Sequence, residues 1–366
     1  MDITDRRMHD EQIKYLLSHD SLTGLHNRGY LESQLPTLDT PVNHPISVIF
    51  ADLNGLKMAN DIFGHGAGDE LIRGAARVLL QFCRPNDLVA RVGGDEFILI
   101  LPRTDRIVGN QIISKIRKGC EELKMDTLRC SVSFGCATKQ TIADQFEQVL
   151  SEAENTMYKE KSRNRNSMKK ELINTIVESL HERSEDEKRH AHFVQNMCRD
   201  LGIEMGLSEA ETNRLQRAAF MHDIGKVVLD QELLEKQHLS EEEYEMFKQH
   251  PAVGYRIMNL YDGTLDLADI VYSHHERWDG NGYPRGLHGE QIPLLARIIA
   301  IVEAYERVLT RGDLEESERK RNALQVIVEH AGTQFDPNIA RVFVRMLDEK
   351  SNGELDWPKE LGWATT

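Results

Sequence analysis

The sequence predicts two domains, an α/β sandwich followed by an all-α helical bundle. Three observations predict them: a length of 366 residues, short strand-like and helical runs that alternate in the first half, and helical periodicity almost throughout from Met168 onward. A chain of this length exceeds one ordinary core and suits two domains of roughly 150 to 200 residues each.

Residues 1–19 carry Ile13, Leu16 and Leu17 at i, i+3 and i+4, the spacing of a short amphipathic lead helix. The apolar run Ile46 to Leu53 reads as a strand and Asp69 to Cys83 as a helix. Leu88 to Val92 and Phe97 to Leu101 read as two strands joined by a hairpin at Gly93 and Gly94. A helix near Asp105 to Leu123, a strand near Arg129 to Ala137 and a helix from about Ile142 to Lys161 complete a domain over 20–167. Ile173, Ile176, Val177 and Leu180 then form one apolar stripe, which predicts a linker helix over 168–184. An all-α domain over 185–350 and a tail over 351–366 follow. The longest irregular piece of that domain, Trp278 to Pro293, is rich in glycine and proline and reads as a loop.

Composition narrows the function. Hydrophobic residues make up 40% and charged residues 29%, and no apolar stretch approaches the ~18 residues of a membrane helix. No membrane association is expected. Behind the charges of Asp2, Arg6 and Arg7 there is no apolar signal-peptide core, and the five cysteines are scattered without a CxxC pair. Both features lead us to expect a cytoplasmic protein without disulfides or a structural zinc. The net charge of -15 is uneven: residues 1–168 hold 21 Lys+Arg against 23 Asp+Glu, and residues 169–366 hold 24 against 37. So acidic a second half argues against a nucleic-acid partner, and a phosphate ester bound there requires cations as mediators. Nine of the fifteen histidines lie between His181 and His288, where such cations can be held.

In the first half Asp52 ends an apolar strand while Asp95 and Glu96 sit at the Gly-Gly turn, so strand pairing can gather three carboxylates at one sheet edge. Hard oxygen ligands of this kind hold Mg²⁺ or Mn²⁺ and leave room for substrate phosphates. The strings DSLTGLHNR (20–28), ADLNGLKMANDIFGHGAGD (51–69), RVGGDEF (91–97), SVSFG (131–135) and YKEKSRNR (158–165) together resemble the GGDEF family of diguanylate cyclases, from Asp20 to Arg165. The resemblance implies the nucleotidyl-cyclase type of α/β sandwich. It also implies metal ligation by Asp52 and Asp95, with Glu96 assisting. Guanine would be read by Asn60 and Asp69. Lys57 would meet the triphosphate of GTP, and Lys161 and Arg165 would clamp it. Arg84-Pro-Asn-Asp87 matches the family's RxxD site for inhibition by the product, cyclic di-GMP. Because each such domain binds one GTP, a homodimer is implied. The family's usual Asp is Asn at position 54, and its bulkier aromatic is Leu at 56.

In the second half, His222-Asp223, His250 and His274-His275 offer imidazole and carboxylate without thiolate, which suits iron or manganese, and zinc after them. Asp186 and His190 stand at i, i+4, so they can share one ion from a single helix face. HDIGK (222–226), HHERWDGNGYPRG (274–286), ARIIAIVEAYE (296–306) and GTQFDP (332–337) resemble the HD-GYP phosphodiesterases, from about Glu171 to Leu347. That resemblance implies an HD-type helical bundle with a metal cluster ligated by His190, His222, Asp223, His250, His274, His275 and Glu303. Asp186 would stand at a third-metal position, and Lys226 would stabilise the phosphate of cyclic di-GMP. Two tightly held transition metals and a weaker third are expected. Glu replaces the family's Asp at 303 and 306, Asp replaces its Glu at 186, and the usual Arg-Pro-Tyr segment is absent from Leu309 to Glu318.

The leading expectation is a bifunctional enzyme that condenses two GTP to cyclic di-GMP and opens it to pGpG or GMP. The alternative is that one half is active and the other is a regulatory nucleotide-binding or dimerisation module.

Overall fold

A computed structural model describes residues 13, 15–125, 128–236, 238–310 and 315–350. Most of the expected lead helix and all of the expected tail lie outside these. The chain divides into two units, Met1–Thr175 and Ile176–Thr366.

Side-chain alternation builds the first unit. Along β2 (Ile46–Leu53), Ile49, Ala51 and Leu53 enter one core while Ile46 and Val48 enter another, as a period of two on a pleated strand requires. β4 (Glu96–Leu101) divides likewise, with Phe97, Leu99 and Leu101 on the first side and Ile98 and Ile100 on the second. The sheet runs β1 (His26–Asn27), β3 (Leu88–Arg91), β4, β2, β7 (Val132–Lys139), and β5 (Lys124–Met125) pairs with β6 (Leu128–Arg129) apart from it. Only β1 and β3 pair in parallel; the other neighbours are antiparallel. α3 (His65–Gln81) and α4 (Arg106–Glu122) cover one face, and α1 (Arg28–Leu38) with α5 (Phe146–Arg183) covers the other. This is the α/β sandwich that the sequence predicts.

Two elements differ in extent from the sequence reading. The helix expected from Asp69 is preceded by α2 (Leu56–Phe63), and the two are separated at Gly64, whose φ of 84° ends α2. The helix expected from Ile142 starts at Phe146, because the Asp144 carboxylate accepts the backbone N–H of both Gln140 and Thr141 and ties them into a turn. It also runs on to Arg183 without a break, since no glycine or proline interrupts residues 146–183.

One close approach sets the height of α5 over the sheet. A Cβ at Gly135 of β7 would lie 2.0 Å from the Ala153 carbonyl oxygen and 2.3 Å from the Met157 nitrogen, so only glycine lets this helix rest on the strand backbone.

The second unit is built mainly of helices joined by turns and one long irregular stretch. Ser184 caps α6 (Glu185–Glu204), and a Ser208–Glu211 capping box opens α7 (Glu209–Met221), which packs on α6. A 3₁₀ turn at Ile224–Val228 leads to α8 (Gln231–Glu235), α9 (Glu241–Phe247), α10 (His250–Met258) and α11 (Leu265–Ser273). Beyond the irregular stretch 278–293 come α12 (Leu294–Leu309), α13 (Glu316–Glu329) and α14 (Pro337–Lys350). Val194, Leu215, Ile257, Ile299 and Phe343 are fully buried in its core. At Gly225 a Cβ would sit 1.9 Å from the His250 carbonyl oxygen, so the turn after α7 presses directly on the start of α10.

Candidate active sites

In the first unit the β2–β4 register sets Asp52 opposite Glu96, and the Leu53 N–H donates to the Asp95 carbonyl at 2.8 Å. All three carboxyl-bearing residues therefore meet at one end of the sheet. Lys161, brought down by α5, donates to Asp52 Oδ1 at 2.5 Å and lies 3.9 Å from Asp95 Oδ2. Burial raises the Asp52 carboxyl above its ordinary range against the pull of Lys161, and the charges of Asp95 and Glu96 add to the rise. Acidic residues whose charges act on one another in this way gain from a divalent cation, and all-oxygen donors fit Mg²⁺ or Mn²⁺. The hairpin is held by Arg91, which donates to Asp20 at 3.0 Å and to the Gly94 carbonyl at 2.8 Å. Neither Arg91 nor Asp20 is singled out by sequence reasoning, although both lie in the GGDEF-like strings.

The other expected residues of this half are distributed around that end. Asn60 on α2 presents a buried Oδ1 without a hydrogen-bond partner, in the space a Cβ at Gly68 would fill. Asp69 on α3 is half-exposed and 3.8 Å from Arg73. Lys57 and Arg165 are exposed. Asp87 accepts the Arg84 backbone N–H at 2.7 Å and so shapes the turn that exposes the Arg84 side chain.

In the second unit the histidines converge. His222 follows the last residue of α7, His250 opens α10, and His274 follows the last residue of α11. Their Nδ1 atoms lie 2.7, 2.7 and 2.6 Å from the carbonyls of Ala219, Phe247 and Val271. Each must donate its Nδ1–H there, which leaves Nε2 as a lone pair facing inward. Nε2 of His250 is 3.3 Å from that of His274 and 3.2 Å from that of His275, while His190 and His222 meet at 3.1 Å. Burial pushes the His274 and His275 imidazoles below their ordinary range, so they are neutral. Neutral lone pairs this close are reconciled by a cation between them.

Asp223 stands at the middle of the cluster. Its Oδ2 lies 3.1 Å from His222 and 2.7 Å from Lys226, and its Oδ1 lies 3.2 Å from His250. Both oxygens are buried without an aligned hydrogen bond, as suits a metal ligand. Ligand atoms of Asp223 with His250, His274 and His275, of His190 with His222 and Asp223, and of His222 with His274 and Glu303 lie mutually within 4.8 Å.

Asp186 does not join them. Its side chain is 84% exposed and paired with Arg189, so the ion that it was expected to share with His190 has no such ligand here. The reason is local: Asp186 lies in the exposed first turn of α6, and the next residue turns inward instead. Glu187 holds Lys226 at 3.0 and 3.1 Å. Burial disfavours the Lys226 ammonium, yet Asp223 and Glu187 together raise its pKa and keep it charged. Sequence reasoning missed Glu187, and it missed three further supports. Glu306 receives His190 Nδ1 at 2.9 Å, Arg307 pairs with Glu303, and buried Glu276 accepts the backbone N–H of Arg285 and Leu287. Glu276 thereby fixes the loop whose Tyr283 stacks on His275, ring centroids 4.9 Å apart.

Residues 17–167 match the family model "Diguanylate cyclase, GGDEF domain", and residues 145–339 match the model "HD domain". The chain is 34% identical to a Thermotoga maritima cyclic di-GMP phosphodiesterase over 182 residues, 49% of either chain. It is 35% identical to the Xanthomonas campestris cyclic di-GMP phosphodiesterase response regulator RpfG, over 42% of either chain. It is 35% identical to the probable diguanylate cyclase DgcE of Escherichia coli, over 44% of this chain and 15% of that protein. The matches thus span about half or less of each of these relatives. The coiled-coil and GGDEF domain of Caulobacter crescentus DgcB, solved with cyclic di-GMP, shares 27% identity over 44% of this chain and 89% of that one, with a TM-score of 0.41. No helix among the described residues is long and apolar enough to cross a membrane. The chain belongs to the HD-domain family and carries a GGDEF domain ahead of its HD domain.

Proposed function

We propose that the chain is a bifunctional enzyme of cyclic di-GMP turnover, whose first unit joins two GTP and whose second opens the product to pGpG or GMP. The observation that supports this reading is that each unit brings residues able to bind a cation toward one place. Asp52, Asp95 and Glu96 meet at the sheet end, and the inward-facing Nε2 atoms surround buried Asp223.

In the first unit Asp52 and Asp95 would hold Mg²⁺ or Mn²⁺, which offsets phosphate charge when bound. Lys161, within reach of both, is placed to meet the triphosphate once a cation relieves it of Asp52. Asn60 Oδ1 and the Asp69 carboxylate are acceptors, and guanine offers N1–H and N2–H₂ to them where adenine cannot. Synthesis breaks one α–β phosphate bond per GTP. The 3′-oxygen of each nucleotide forms the new bond, pyrophosphate leaves, and Glu96 is positioned to take the 3′-hydroxyl proton. Two domains face to face are needed, so the active form is a homodimer, and Arg84 with Asp87 supplies its product-inhibition site.

In the second unit His190, His222, Asp223, His250, His274, His275 and Glu303 would hold two transition metals, iron or manganese. Bound there, they would acidify a water and neutralise phosphate. Lys226 stays charged beside Asp223 and is poised to meet a non-bridging phosphate oxygen as the ribose 3′-oxygen departs. The test is purified chain incubated with GTP or cyclic di-GMP and Mg²⁺, Mn²⁺ or Fe²⁺, followed by nucleotide separation.

A further inference from the structure

The first unit contains a cavity of about 360 Å³ that takes no part in either proposed reaction. It lies against the segment Asn54, Gly55, Met58 and Ala59, between α4 and the stretch of α5 beyond Arg165, which contributes Met168, Glu171, Leu172 and Thr175. Its size falls in the range of small-molecule sites, and its floor of Ala59, Leu71 and Val132 is buried and apolar.

Charge on the lining is one-sided. The cation present, Arg117, is already matched by Glu160 at 2.9 Å. Glu121 and Glu171 are exposed on the lining, and neither has an ion pair among the described residues. An anion entering the cavity therefore finds no uncommitted positive charge, whereas an ammonium finds two carboxylates beside an apolar floor. We propose that this cavity is a binding site for a small amphipathic organic cation, with its apolar body on Ala59, Leu71 and Val132 and its nitrogen at Glu121 and Glu171. Its lining residues Met58 and Ala59 flank Lys57 and Asn60 in the chain, the residues assigned to GTP. The site itself does not depend on that assignment.

Calorimetric titration of the full chain with phenylbutylamine, and with the anion phenylbutyrate as a probe of the same body and opposite charge, tests the proposal. Phenylbutylamine is expected to bind once per chain, and phenylbutyrate at least about tenfold more weakly. Ser131→Trp, which fills the cavity from an exposed position, should abolish amine binding. Glu121→Gln with Glu171→Gln, at two exposed positions that leave the fold intact, should erase the preference for the cation. Absence of amine binding, equal affinity for the two probes, or binding that survives in both variants would overturn the proposal.

Discussion

Gly225→Ala tests how the HD cluster is held together, because it adds one methyl group where two backbones touch. The added Cβ would lie 1.9 Å from the His250 carbonyl oxygen and 2.6 Å from the Gly254 nitrogen, while ordinary contact begins at about 3.4 Å. No flexible side chain can yield, so the turn carrying Asp223 and Lys226 must part from the start of α10 by roughly 1.5 Å. Overpacking of this kind costs about 1–3 kcal/mol, which for a unit of this size lowers the melting temperature by roughly 2–12 °C. The larger consequence is for ligation: Asp223 Oδ1 and His250 Nε2 lie 3.2 Å apart, and metal ligands tolerate only ~0.2 Å of misplacement. Metal analysis after dialysis should show at most one ion retained, against two in wild type, and hydrolysis should fall about 10²-fold or more. A variant that keeps two ions and melts within about 1 °C of wild type would refute the reasoning.

Gly135→Ala applies the same logic to the first unit: α5 must lift off β7 and draw Lys161 away from Asp52, so synthesis should fall by about 10²-fold while hydrolysis persists; an unchanged rate would contradict it. Asp186→Ala should leave metal content and hydrolysis as in wild type, since its carboxylate is exposed on Arg189, whereas His222→Ala should strip the cluster; metal analysis of the two variants decides. Arg84→Ala should weaken inhibition by added cyclic di-GMP without lowering the initial rate, because Asp87 and the turn are retained; an unaltered inhibition curve would exclude Arg84 from that role.

What the sequence made legible was carried by contiguous strings. The apolar run of Ile46 to Leu53, the Gly93-Gly94 hairpin and the paired His222-Asp223 each fix their own local geometry, and the sheet and histidine cluster follow from them. The choice between Asp186 and Glu187 was not legible. Residues three and four apart both neighbour His190 on a helix, and the one that turns inward is selected by Lys226, which arrives from another element. The close approaches at Gly135 and Gly225 were hidden for a related reason: a glycine does not announce which backbone will occupy the space of its missing Cβ. The unbroken α5 was readable from the absence of glycine and proline over 146–183, but the two family-like segments suggested a division there.

The most direct test of bifunctionality follows both reactions in one preparation of the full chain, using wild type, Asp95→Asn and His222→Ala with GTP and Mg²⁺ or cyclic di-GMP and Mn²⁺ or Fe²⁺. The account predicts that wild type makes cyclic di-GMP and opens it. Asp95→Asn should lose only synthesis, and His222→Ala only hydrolysis. A substrate that wild type leaves intact with every metal would contradict the claim and mark the corresponding half as a regulatory module.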